Sequence, residues 1–258
     1  MRMLSRTVAM LMVVSLMLFA VGCGKSENGS TPGGAASDGG AKKLRIALVM
    51  KSLANEFFLT MEQGARKHQE ANADKYELLA NGIKDELDVS RQVQLVEQMI
   101  AQKVDAIVIA PADSKALVAV CKKAMDAGIV VVNIDNKFED AVLQERGIKI
   151  PFVGPDNRKG ARTVAEYLAK KLQPGDPVAI IEGVPTAYNG QQRKLGFDDA
   201  MNAAGMKIVS SQSGSWEMAK ANQVVAAIVT EHPDVKALLC ANDSMALGAV
   251  AALKAANK

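Results

Sequence analysis

The chain reads as an α/β protein built on parallel sheet, and two observations carry that reading. From residue 44 onward, short runs rich in β-branched residues recur, and the stretches between them space their apolar residues three and four apart. The runs are apolar nearly throughout instead of alternating, which is the mark of strands covered by helices on both faces.

The elements follow in order. LRIALVM (44–50) is the first strand and opens into KSLANEFF, where Phe57 and Phe58 begin a helix that also carries His68. YELLA (76–80) is the second strand. LDVSRQVQLVEQMIAQ (87–102) puts Val89, Val93, Val96 and Ile100 on one helical face. AIVIA (106–110) leads into the helical KALVAVCKKAMDAG (115–128), which Gly128 stops. VVVNI (130–134) and IPFVG (150–154) are strands. RTVAEYLAKKL (162–172) is a helix ended by Pro174-Gly175, and VAIIEG (178–183), KIVSSQ (207–212) and KALLCA (236–241) complete the strands.

The N-terminus lies outside this alternation. Arg2 and Arg6 precede an apolar run, TVAMLMVVSLMLFAV, which is shorter than the roughly 20 residues that span a bilayer. AVGC follows it, so 1–22 has the form of a secretory signal. The AVGC stretch resembles a bacterial lipobox, which implies a lipid on Cys23; a plain cleaved signal with an incidental cysteine is the alternative. Residues 23–43, rich in Gly, Ser and Pro, read as a flexible tether between that anchor and a soluble body.

Composition narrows the function. The 258 residues suffice for one large or two ordinary domains. A content of 49% hydrophobic and 23% charged residues is globular, and a formal charge of +3 spread along the chain gives no basis for nucleic-acid binding. No Cys/His cluster has metal-ligand spacing. Cys121 and Cys240 read as two buried free thiols, with a disulfide as the alternative.

In open parallel sheets ligands bind beyond the carboxyl ends of the strands. Those ends carry Lys51, Asn55, Phe57 and Phe58, then Asp135 and Asn136, then Pro155-Asp156-Asn157. VPTAYNGQQR, reaching Arg193, follows the sixth strand, SGSWE with Trp216 the seventh, and Asn242-Asp243 the last. None of these ends holds an activated nucleophile with its base, and no G-x-S-x-G elbow or phosphate loop is present, so the expectation is a binding protein and not an enzyme. His68 and His232 stand away from the strand ends and read as surface residues.

The groups describe a carbohydrate. Sugar ring carbons present flat C–H patches that suit aromatic faces, here Phe57, Phe58 and Trp216. Hydroxyls donate and accept, which suits the carboxylate of Asp135, the fork of Arg193, the ammonium of Lys51 and the amides of Asn55 and Asn242. One of the two phenylalanines could equally be core, and Asp135 or Asn242 could serve only a turn.

The stretches VMKSLANEFF, NIDNKF, GPDN, QQRKLGF, SGSW and CANDSMALGA resemble the successive signatures of the ribose- and allose-type periplasmic sugar-binding proteins, across essentially all of 44–258. The resemblance implies a type I periplasmic-binding-protein fold of two similar lobes, each a parallel sheet flanked by helices, with an aldose held between them. It implies ligand contacts at Lys51, Asn55, Phe57, Phe58, Asp135, Asn136, Arg193, Trp216 and Asn242, and no cofactor. It places a lobe boundary at GPDN, giving lobes of 44–155 and 156–258. The partners implied are a monosaccharide, an ABC transporter permease and, through Cys23, the membrane, for a monomer held at the periplasmic or extracellular face. Lys51 is similar to the allose-type members, whereas Asn136 and Glu56 depart from the usual pattern, which leaves the sugar open. The family pattern continues past AALKAANK with a further strand and return crossings, so the second lobe reads as incomplete, with weaker ligand binding and stability expected. A sensor that presents sugar to a chemoreceptor or histidine kinase shares these features. A sugar-responsive repressor would need a helix-turn-helix where the signal stands.

Overall fold

The computed structural model describes residues 42–258. The expectations for the signal, for Cys23 and for most of the tether lie outside the described residues.

The first lobe is a five-stranded parallel sheet of β1 (Leu44–Met50), β2 (Tyr76–Gly82), β3 (Ala106–Ile109), β4 (Val130–Ile134) and β5 (Phe152–Val153), in the order β2-β1-β3-β4-β5. Its helices are α1 (Glu56–Glu70), α2 (Val89–Ala101), α3 (Val118–Asp126) and α4 (Asp140–Glu145). The second lobe is a three-stranded parallel sheet, β7-β6-β8, of β6 (Pro177–Glu182), β7 (Lys207–Ser213) and β8 (Ala237–Cys240). With it go α5 (Asn157–Ala169), α6 (Tyr188–Ala203), α7 (Met218–Glu231) and α8 (Asp243–Ala255). The α/β class and the parallel pairing are as the sequence predicts.

Successive residues of a strand point to opposite faces, and β1 shows why its run is apolar without alternation. Ala47 and Val49 join one buried cluster with Val96, Ile107 and Val131, while Leu48 and Met50 join another with Phe58 and Ala110. The second lobe has its own core around Val178–Ile181, Phe197, Met201 and Ile228. Two helix pairs there approach closely because glycine stands at the crossing. A Cβ on Gly196 of α6 would lie 2.3 Å from the Arg158 carbonyl of α5, and one on Gly248 of α8 would lie 2.1 Å from the Met218 carbonyl of α7.

Boundaries differ from the sequence reading where local chemistry decides them. The strand expected over 150–154 pairs only at Phe152–Val153, since Pro151 has no N–H to give the ladder, although its carbonyl accepts from Asn133. The helix expected over 162–172 begins at Asn157, where Asp156 accepts the backbone N–H of Lys159 as a side-chain cap. Cys121, buried in α3, and Cys240, half-buried at the end of β8, are free thiols in separate lobes. Burial pushes them up to about 12 and about 11, which makes both poor nucleophiles.

Candidate ligand-binding site

In both parallel sheets the strand order reverses, between β1 and β3 in the first lobe and between β6 and β8 in the second, and a cleft opens beyond the carboxyl ends there. Its volume is about 1020 Å³, enough for a small polar ligand and surrounding water. Eight of the nine residues expected at the ligand line it, and Asn136 does not.

The first wall is set by β1 and β2. Ser52 donates its hydroxyl to the Lys84 carbonyl at 2.6 Å, and Leu53 N–H bonds the Ile83 carbonyl at 3.1 Å. A Cβ on Gly82 would sit 2.8 Å from the Lys51 carbonyl, so glycine permits the approach. This stitching delivers Glu86 to Lys51. The Lys51 ammonium, 1% exposed, lies 3.8 Å from Glu86 Oε2 and 3.8 Å from Asp135 Oδ2. Asn55 caps α1 with its oxygen and donates its amide toward Glu86 Oε1 at 3.4 Å. Phe58 packs into the core under the cleft, and Phe57, 55% exposed, meets it edge-on at 5.1 Å.

Asp135 is held by the backbone. It adopts φ +59°, uncommon for a residue other than glycine, and its N–H donates to the Val153 carbonyl. Buried Asn133 braces the turn, donating to the Asn136 carbonyl at 2.8 Å and accepting from Phe138 N–H at 2.9 Å. Burial raises the Asp135 carboxyl above the usual range, against the pull of Lys51 and Arg193. Burial likewise pushes Glu86 up to about 7, opposed by Lys51 and reinforced by Asp135 and Glu217.

The second wall comes from the segments that follow β6, β7 and β8, including the starts of α6 and α8, together with α5. Arg193 on α6 gives Nε to Asn157 Oδ1 at 2.8 Å and Nη1 to the Ala241 carbonyl at 2.6 Å, which fixes the plane of its fork. The guanidinium carbon stands 5.6 Å from the Trp216 ring, and Lys51 Nζ reaches the same ring at 5.8 Å from the opposite lobe. Trp216, at φ +68° and 4% exposed, lies against Gly183 and Gly190; a Cβ on Gly183 would fall 2.1 Å from the indole. Asn242 caps α8, accepting from Met245 N–H at 2.9 Å and donating to the Trp216 carbonyl at 3.2 Å.

Asn136, expected at the ligand, does not line the cleft. It is fully buried, donates its amide to the Pro111 carbonyl at 2.8 Å, and its oxygen accepts from Asn189 N–H at 3.0 Å and from the Ser114 hydroxyl at 3.3 Å, so its side chain is engaged by the protein and not by the cleft. Among the cleft-lining residues that the expectation omitted are the polar Glu86 and Asn189. Buried side-chain atoms without a hydrogen bond fall among the lining residues: Asp135 Oδ2, which has only the ion pair with Lys51 at 3.8 Å, Asn189 Oδ1 and Trp216 Nε1. A buried polar atom left unpaired costs about 1–3 kcal/mol, so a hydrogen-bonding partner at any of the three would be stabilising. Among the described residues no group of acidic, histidine and cysteine side chains could hold a metal ion.

Two parallel-sheet lobes facing one another across a polar, aromatic-lined cleft define a solute-binding protein. The chain belongs to the family described as periplasmic binding protein domain, which matches residues 46–258. It is 68% identical over 217 residues to the D-ribose/D-allose-binding protein of Pseudomonas aeruginosa, a match covering 84% of this chain and 68% of that one. The D-allose-binding periplasmic protein of Escherichia coli is 33% identical over 215 residues, covering 82% of this chain and 68% of that one. Among solved structures, an ABC transporter solute-binding protein from Actinobacillus succinogenes with bound D-allose superposes with a TM-score of 0.77 at 38% identity, over 83% of this chain and 74% of that one. These relatives are binding proteins, and the chain is not an enzyme.

Proposed function

We propose that the protein captures a monosaccharide, an aldose of the ribose or allose type, between its two lobes outside the cytoplasm and delivers it to an ABC transporter permease. The observation that carries this reading is the set of buried atoms of Asp135, Asn189 and Trp216 that lack a hydrogen bond, on residues lining the cleft beside aromatic faces. Carboxylate and amide oxygens accept from hydroxyls, the indole N–H and the free edge of the Arg193 fork donate, and ring faces cover C–H patches. Ribose and allose, the sugars for which those relatives are named, present those surfaces.

In this reading Lys51, Asn55, Phe57, Phe58 and Asp135 form the face of a first lobe spanning 44–155. Arg193, Trp216 and Asn242 form the face of a second lobe from 156 onward. Cys23 carries a lipid that tethers a monomer to the membrane after the 1–22 signal is removed. Titration calorimetry with D-ribose, D-allose, D-xylose and D-galactose tests the proposal, the expected outcome being one site per chain for at least one of the first two. Binding of none of them would overturn it.

A further inference from the structure

Helix α6 begins without a cap of its own. The residue at its N-cap position is Ala187, which has no side-chain acceptor, so the first N–H groups of the helix need partners from elsewhere. They find them in the opposite lobe. Tyr188 N–H donates to Ser114 Oγ at 2.8 Å, and Asn189 N–H donates to Asn136 Oδ1 at 3.0 Å. Ser114 donates its hydroxyl to Asn136 Oδ1 at 3.3 Å, and its backbone N–H donates to the Thr186 carbonyl at 3.2 Å. Both capping side chains are fully buried. The carboxamide orientation of Asn136 is fixed by its neighbours, since only oxygen can receive Asn189 N–H and only nitrogen can serve the Pro111 carbonyl.

The helix capped in this way carries the second lobe's polar contribution to the cleft. Asn189 lines it and carries a buried Oδ1 without a hydrogen bond, and Arg193, which also lines it, lies one turn further on. We infer that Ser114 and Asn136 are positioning residues that cap α6 across the cleft, so that closure of the lobes completes the helix and sets Asn189 and Arg193 against the ligand. When the lobes part, the two N–H groups lose their acceptors to water. The cap therefore favours the closed state through contacts that the ligand never touches, and it slows ligand escape more than it speeds entry. The inference rests on the proposed sugar capture for its ligand but on the cap geometry alone for its mechanism.

The test uses S114A, N136A and a third variant, A187S, which offers α6 a cap from its own lobe. Dissociation of D-ribose and D-allose is followed by stopped flow, and amide exchange at Tyr188 and Asn189 by NMR with and without sugar. The expected results for S114A and N136A are dissociation about fivefold faster per lost cap, with association little changed. Exchange should rise at Tyr188 in S114A and at Asn189 in N136A. A187S should raise the melting temperature of the sugar-free protein and still weaken sugar binding, because the open state no longer lacks a cap; a purely structural role would move both in one direction. Unchanged dissociation in S114A and N136A, or exchange at both amides equal to that of the parent protein, would overturn the inference. If the parent protein binds neither sugar, the proposed function fails, and the exchange measurement decides the cap by itself.

Discussion

Asp135 concentrates the conflict between stability and binding in this protein. Its carboxyl is buried, raised in pKa by that burial, and one oxygen has no hydrogen-bond partner. Substituting Asn removes a buried charge at nearly constant shape, so D135N should unfold no more readily than the parent protein in urea. It should bind the proposed sugar about 10- to 100-fold more weakly in calorimetry, the worth of a charge-assisted hydrogen bond. Glu86 makes a second, pH-dependent case. Its folded pKa of about 7 stands above its ordinary value of 4.5, so between those limits the folded state holds more protons than the unfolded state. The stabilisation is whole below pH 4.5 and is lost as pH rises through 7, a fall of about 3 kcal/mol for this group. Asp135 adds a slope of the same sign. In E86Q, urea melts from pH 4 to 8 should show a much shallower fall, with the Asp135 slope remaining. Asp135 and Trp216 were legible in the sequence because they follow β4 and β7 directly or within a short loop, and Arg193 because the stretch behind β6 leads to it on α6. Glu86 was not, because four residues separate it from the end of β2 and only the stitching of 51–53 to 83–84 returns it to the cleft. Asn189 sat within a stretch already singled out, and the signal that could have found it was the uncapped start of α6.

Among the elements, glycine decides which helices can meet. Gly196 lies where α6 crosses α5 and cannot accept a methyl group without moving the Arg158 carbonyl or the Arg162 amide, 2.3 and 2.8 Å from the added atom. G196A should therefore destabilise by about 1–3 kcal/mol in urea, despite the higher helix propensity of alanine. Gly64 in α1 is the control: nothing lies within 4 Å of a Cβ there, so G64A should stabilise by about 0.5–1 kcal/mol. If both variants shifted stability the same way, the close crossing would not be what governs position 196. The sequence revealed these helices unevenly. The apolar spacing of 87–102 marked α2 to within two residues at its start, whereas the first turn of α5, Asn157–Gly160, is polar and was announced only by the cap at Asp156. The shortness of β5 followed from Pro151, a signal that periodicity does not register.

Nothing in the run of strands and helices told which strands would be neighbours, and the order β2-β1-β3-β4-β5 beside β7-β6-β8 is what aims both sets of loops into one cleft. With the candidate groups divided between the lobes, the ligand itself becomes a link. Lys51 and Asp135 stand on one side, Arg193 and Trp216 on the other, and the proposed sugar would bond both. Moving a two-state equilibrium from 1:99 to 99:1 takes about 5.5 kcal/mol of differential affinity, while micromolar binding supplies about 8 kcal/mol in all. Most of the binding energy would then have to come from contacts that exist only when the lobes are together. Arg193 is the contact best placed to show this, because Asn157 and the Ala241 carbonyl hold its fork in the second lobe while its charge acts on Asp135 in the first. A lysine keeps the charge but cannot reproduce the planar fork. Small-angle scattering should show the parent protein contracting when D-allose or D-ribose is added. R193K should contract less at saturating sugar, because losing about 2–3 kcal/mol from the closed state leaves too little to hold the lobes together. Equal contraction in both proteins would mean that closure does not depend on this residue, and that the two walls of the cleft are not joined through it.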